Sequence, residues 1–534
     1  MSQHNHTKLP LDRRLFMGGL AALGGATLAR PGLAQSGRPE LVIGISGLPT
    51  SMMPGRISNT HNRLKMVYLD QLIARDYNAT PEGNGFDIVP WLAESWSQIE
   101  PTVWEFKLRP GVKFHDGTEM TAEDVAFSFG EGRMWGENPS EPQGERYFNG
   151  GLIAGIDVVD PLTVRIRTNA PDLIMPLRFV SPVGFVVPKA YYEKVGPDEF
   201  FLNPVGTGPY KMTRLERDTL IEFEAFDDYW GGKPPASKIT FRVVPEMSSR
   251  VAGLLSGEFD IITDVEPELV STVESHDELK VRKVNYENQV VIVISTLHPV
   301  TSDKRIRQAL VHALDREAMA KALWGDATHV PEPFAFEFYG EYYDPDRRGR
   351  KYDMEKAKEL LESAGYNGEV LNLRIQRGGY PKIEDAAQIM AEMWKKAGIN
   401  VEIEIRKGSA LAAEGLPDGE VAMISWSNGI HIPDPATPIW ATWGPDGPRA
   451  PGKKESSWDH PQSFIDVGRA FEVESDPEKR RELFKQLVDI WVEETPGFPL
   501  WMRADWFAMK KEIEWTPYSF FYLDFGPDNL SFST

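Results

Sequence analysis

Residues 104–129 read WEFKLRPGVKFHDGTEMTAEDVAFSF. Trp104, Phe106 and Leu108 alternate with charged residues, as in a strand with one buried face. Pro110-Gly111 turns the chain, Val112 to Phe114 return, and His115-Asp116-Gly117 turns it again. Thr121 then precedes an apolar-periodic run with Asp124 three residues on, a capping box that starts a helix. A histidine invites a catalytic reading, but in a tight turn beside Asp-Gly a structural role is expected of His115.

The same grammar extends in both directions. Upstream, LVIGIS (41–46) reads as a buried strand, and NTHNRLKMVYLDQLIARDY (59–77) has helical spacing through Leu64, Val67, Tyr68 and Leu72. Downstream, VVDPLTVRIRT (158–168) gives a strand hairpin. NPVGTGPYKM (203–212) is a glycine-rich loop that lacks Gly-Lys-Ser/Thr and leads into a strand, so it is a tight turn and not a phosphate loop. KITFRVVP and FDIITDV are strands around the helical SSRVAGLLSG. From residue 302 helices and strands alternate. Ile306, Leu310, Ala313, Leu314 and Leu323 share one helical face ending at Gly325, and His312 is placed with Gln308 and Arg316 on the opposite, solvated face. Asp353 caps a helix that stops at Gly365. LNLRIQ, the helix ending at Gly398, and NVEIEI form a β-α-β unit. The fold class is therefore α/β.

A chain of 534 residues exceeds the ~250 to 300 residues one core supports, so two or three domains are expected. The charge of −21 is spread along the chain, which argues for solubility and against nucleic acid. Arg13-Arg14 followed by a short Gly/Ala-rich apolar run ending near Ala34 is the layout of an export signal over residues 1–35, of the twin-arginine type. The absence of cysteine excludes disulfides, thiolate metal sites, a cysteine nucleophile and a cysteine-linked lipid anchor. No zinc-protease, nucleophile-elbow, Walker or dinucleotide motif is present, and the histidines beyond the N-terminus are scattered, so no metal or cofactor is expected. An exported hydrolase with two opposed carboxylates stays open on composition alone.

LRPGVKFHDGTEMTAEDVAFSF, NPVGTGPYKM, FDDYWGGKPP, LLSGEFDII, DKRIRQALVHALDREAMAKALWG, YDMEKAKELLESAGY and WKKAGINVEI, in that order, resemble the extracytoplasmic solute-binding proteins of ABC importers, in the oligopeptide, dipeptide and nickel-binding family. The resemblance implies a two-lobed periplasmic-binding-protein fold of type II with two crossovers. Domain I would comprise 36–83, 208–289 and 503–534, an inserted small domain II 84–207, and lobe 2 residues 290–502. It also implies a periplasmic, monomeric binder without catalysis, which traps a small-molecule solute by hinge closure and delivers it to an inner-membrane permease.

Within that family an arginine after the strand of the β-α-β unit holds a peptide carboxylate, and Arg377 in LNLRIQRGGYP stands at the matching position. An aspartate shortly after Gly-Trp pairs with the peptide ammonium. Here SWSNGIHIPDP (425–435) has Ser425-Trp426 followed by Ser427, Asn428 and Gly429, so that charge is missing. Trp426, Asn428 and Gly429 are expected to line the pocket, and Asp434 to cap the following helix. On the first lobe Ser58, Asn59, Thr60 and His61 are candidate polar contacts, with an N-cap at Ser58 or Asn59 an equal reading. His431 is expected to pack and Trp440 and Trp443 to lie in the core. The ligand expected is a carboxylate-bearing peptide-like or opine-like solute; an oligosaccharide stacked on Trp426 is the alternative.

Overall fold

The computed structural model describes residues 37–49, 52–141, 144–148 and 152–533. The export signal expected over 1–35 lies outside the described residues. Ten strands form one mixed sheet: β1 (Glu40–Ile45), β2 (Tyr210–Glu216), β3 (Leu220–Ala225), β4 (Lys238–Val243), β5 (Ile261–Ile262), β6 (Leu279–Ile294), β7 (Val370–Gln376), β8 (Asn400–Arg406), β9 (Met423–Gly429) and β10 (Gly497–Lys510). Their spatial order is β8-β7-β9-β6-β10-β5-β1-β4-β3-β2. β7 and β8 run parallel with the helix Ile383–Lys396 between them, the β-α-β unit read from the sequence. A separate antiparallel sheet of Ala93–Glu100, Val103–Leu108, Thr163–Thr168 and Ile153–Asp160 has its own core, built on Phe106, Val125, Phe129, Ile166 and Phe179.

β6 and β10 are long neighbouring strands, and the lobe boundaries expected near 290 and 503 fall within them. Their antiparallel ladder runs regularly from Leu279↔Lys510 to Asn285↔Ala504 and resumes at Gln289↔Met502. Tyr286, Glu287 and Asn288 therefore face a single residue, Arg503. An unequal count of this kind breaks the ladder and bends the strand. Below the break β10 pairs with β5; above it β6 pairs with β9.

The opening stretch folds as read. Thr121 and Asp124 form the capping box of the helix Ala122–Phe129. His115 is a strut: its Nδ1 accepts from the Gly206 amide at 3.3 Å while its Nε2 lies 2.9 Å from the Gly208 carbonyl. That pairing requires the neutral ring protonated on Nε2, in keeping with burial, which lowers its pKa to about 4. The loop it holds needs its glycines, because a Cβ on Gly206 or Gly208 would come within 2.1 or 2.5 Å of the Tyr68-Leu69 backbone.

Two expectations need correction. The helix expected across 59–77 is only Asn59–Arg63 and Lys65–Tyr68; from Leu69 the chain is extended, and Leu72 joins the core of the small sheet. Tertiary packing has overridden the local period. The face carrying Gln308, His312 and Arg316 is not solvated. Gln308 Nε2 donates to the Glu493 carbonyl at 2.8 Å, Arg316 Nη1 to Pro499 at 2.8 Å, and both side chains are buried. His312 Nδ1 lies 2.8 Å from the Lys351 carbonyl. The covering partners lie far downstream in sequence, so the helical pattern carried no sign of them.

Candidate functional site

β7 and β9 are adjacent, and one group of candidate residues lies at their ends and in the following loops. Arg377 is exposed, in the turn that follows β7, with its amide bound to the Arg406 carbonyl at 2.8 Å. Three residues on, Tyr380 comes up to the Ser427 side chain of β9. Burial raises its pKa; Ser427 and the charges of Arg503 and Arg449 oppose that rise. Ser427 also accepts from Asn288 Nδ2 of β6, at 3.4 Å. Trp426 is half-buried, and the wholly buried Arg449 guanidinium stands 4.4 Å from its ring, a cation–π support for one indole face. Asn428 is buried and donates to the Pro438 carbonyl at 3.1 Å, which fixes the loop.

Gly429 permits a close approach. A Cβ there would lie 2.6 Å from His431 Nε2 and 3.1 Å from Asn288 Nδ2. His431 packs edge-on between Tyr147 and Phe520, each 5.6 Å between ring centres. Ile432 enters the core of the small sheet. Asp434 accepts from the Ala436 amide at 2.8 Å and forms a buried fork with Arg480 at 2.9 and 3.0 Å; the cap expected of it falls instead at Pro435, which makes no side-chain cap bond. Trp440 and Trp443 are core residues.

In the N-terminal segment, Ser58 caps the helix Asn59–Arg63, accepting from the His61 amide at 3.2 Å; its hydroxyl also meets His61 Nδ1 at 2.6 Å. Burial, with Lys65 and Arg56, lowers the His61 pKa to about 4, so the ring is uncharged at neutral pH. Thr60 is half-buried, and the side chain of Asn59 lies outside the described residues. The next turn brings Arg63 to β10, where its guanidinium forks onto Asp264 and reaches Asp505 at 3.4 Å. Tyr286 donates to Asp505 at 3.3 Å. Burial and the neighbouring Asp264 push Asp505 well above the usual carboxylate range, whereas Arg63 outweighs burial to hold Asp264 below it. One aspartate is thus ionised against Arg63 and the other favours its neutral form.

Arg503 stands at the break in the β6–β10 ladder. Its guanidinium lies 5.0 Å from the Phe521 ring and 5.8 Å from that of Tyr286. Tyr380, Arg449 and Arg503 were missed in the sequence. Tyr380 is an ordinary aromatic after a Gly-Gly turn and Arg449 a lone cation in a proline-glycine loop. Arg503 did leave a signal, a charge inside the apolar run LWMRADWF, but nothing local tells that the ladder breaks there.

Among the described residues no three His, Asp or Glu side chains gather as a metal site, and no helix is long and apolar enough to cross a membrane. The family model of bacterial extracellular solute-binding proteins, family 5, matches residues 87–449. The chain belongs to this family. Among its relatives, the dipeptide-binding protein of Escherichia coli K12 is 26% identical over 80% of this chain and 83% of its own length. A glutathione-binding protein of Shigella flexneri is 25% identical, covering 92% and 94%. Solved structures share the fold. The Helicobacter pylori periplasmic binding protein DppA, in complex with the peptide STSA, superposes with a TM-score of 0.81 at 23% identity over 93% of this chain and 99% of its own. The binding protein AgaA of A. tumefaciens R10, in complex with agropinic acid, gives 0.77 at 24% over the same shares. This family-5 solute-binding protein therefore has the two-lobed periplasmic-binding-protein architecture.

Proposed function

We propose that this is the periplasmic substrate-binding component of an ABC importer, which traps a peptide-like or opine-like solute bearing a carboxylate and presents the closed form to a membrane permease. Residues 36–83, 208–289 and 503–534 would act as one rigid lobe with the inserted 84–207, and residues 290–502 as the other, working as a monomer. Closure follows from differential affinity, because a solute touches both lobes at once only when they are together.

The observation that carries the reading is the charge of the cleft wall these residues would form. Arg377 would stand at its lip, with Arg449 behind Trp426 and Arg503 at the crossover. Of the nearby carboxylates, Glu455 lies 3.6 Å from Arg449 and offsets that cation, and Asp505 belongs to the Arg63 network, so the charge left for a solute is that of Arg377 and Arg503. The loop Ser427-Asn428-Gly429 offers no acid for an ammonium. Such a site suits a solute with a carboxylate and without an ordinary free amino terminus, since guanidinium matches carboxylate in a fork.

The test uses the solute released from the purified protein. Arg377→Ala should weaken its binding by calorimetry about 10- to 100-fold, the worth of one charge-assisted pair. Unchanged affinity would remove Arg377 from the site, and a neutral oligosaccharide as the released solute would overturn the carboxylate reading.

A further inference from the structure

Arg503 is the one guanidinium of this group supplied by β10, at the point where three residues of β6 face one of β10. Its Nη1 is wholly buried and meets no acceptor among the described residues. The ring of Phe521 on one side and Tyr286 on another fix its plane. Asp505, two residues on, acts on it through charge without hydrogen-bonding it: that carboxyl takes its hydrogen bonds from Arg63, Tyr286 and the Trp506 amide. A buried donor of a charged group left unmade is costly, so a native structure that keeps one invites an acceptor from outside the chain. Tyr380 and Ser427 approach the same space.

We infer that Arg503 binds a second anionic group of the solute, so that the preferred ligand is a dianion spanning from the lip at Arg377 to the crossover. This rests on the carboxylate reading above and sharpens it. One acid is read by lobe 2, the other by the hinge itself, and a solute that fills only the lip leaves Arg503 unmatched.

The probes are N-succinyl-alanine, with two carboxylates, and N-acetyl-alanine, with one, titrated calorimetrically into the full-length mature protein. The succinyl compound should bind about 10- to 100-fold tighter. Arg503→Gln should abolish that preference, and Arg503→Lys, which keeps the charge without the fork, should restore part of it. Melting curves confirm that each variant is folded; Arg503→Lys carries the comparison if Arg503→Gln is not. Equal affinity for the two probes, or a preference that survives Arg503→Gln, would overturn the inference while leaving the carboxylate reading intact. Failure of both probes to bind would overturn the carboxylate reading, and this inference with it.

Discussion

Two residues in the stretch 425–435 act through what they exclude or pair. Gly429 lets the His431 ring sit between Tyr147 and Phe520, and a methyl group there would fall 2.6 Å from Nε2. With the ring held on both sides, Gly429→Ala should cost about 1–3 kcal/mol in denaturant unfolding, the range for overpacking a well-filled site. A wild-type midpoint would mean that the ring turns away freely. Asp434 and Arg480 have side chains 5% and 6% exposed. Removing one partner of a buried pair strands the other, so Asp434→Ala should lower stability by about 3–5 kcal/mol. A loss below 1 kcal/mol would show that Tyr342, 2.7 Å from Arg480, and the Phe471 ring suffice for the guanidinium.

The hairpin of residues 104–129 carries a pH dependence at the level of the element. His115 has a folded pKa of about 4 against an ordinary value of 6.5. The unfolded chain therefore takes up its proton first as the pH falls. The stability tied to the neutral strut is full above pH 6.5, lost progressively below it, and spent by about pH 4. The whole effect is about 3 kcal/mol. His61 is depressed to about the same value, so the comparison must be between the wild type and His115→Gln. Between pH 6.5 and 4 the wild type should lose more stability than the variant, and parallel curves would contradict the strut. Elements of this kind were legible because their determinants are local: the capping box at Thr121, the stop at Gly365 and the alternation of NVEIEI each lie within a few residues. What was not legible depends on distant chain. The Gln308 face is buried by carbonyls of Glu493 and Pro499, the periodicity after Tyr68 yields to packing in another core, and the significance of Arg503 arises from a ladder fault against residues more than two hundred positions earlier.

For the whole molecule, the irregular step of β6 and β10 is tied to neighbouring segments at two points. Arg75 grips both Glu287 oxygens at 2.6 Å, Ser519 adds a bond at 2.7 Å, and Arg63 ties Asp264 to Asp505. The ladder is irregular at two steps, at residues 286–288 against 503 and again where Leu500 is left unpaired between Val290 and Val291. Small-angle scattering should show a smaller radius of gyration with the released solute than without it, and Arg503→Gln should compact less at equal probe concentration. Identical curves with and without solute would deny hinge closure. The account as a whole stands on what the cleft holds. Native mass spectrometry of the protein as purified, followed by denaturation and identification of what is released, should give one chemically unchanged solute carrying at least one carboxylate. Release of a neutral sugar, or of paired cleavage products, would contradict it.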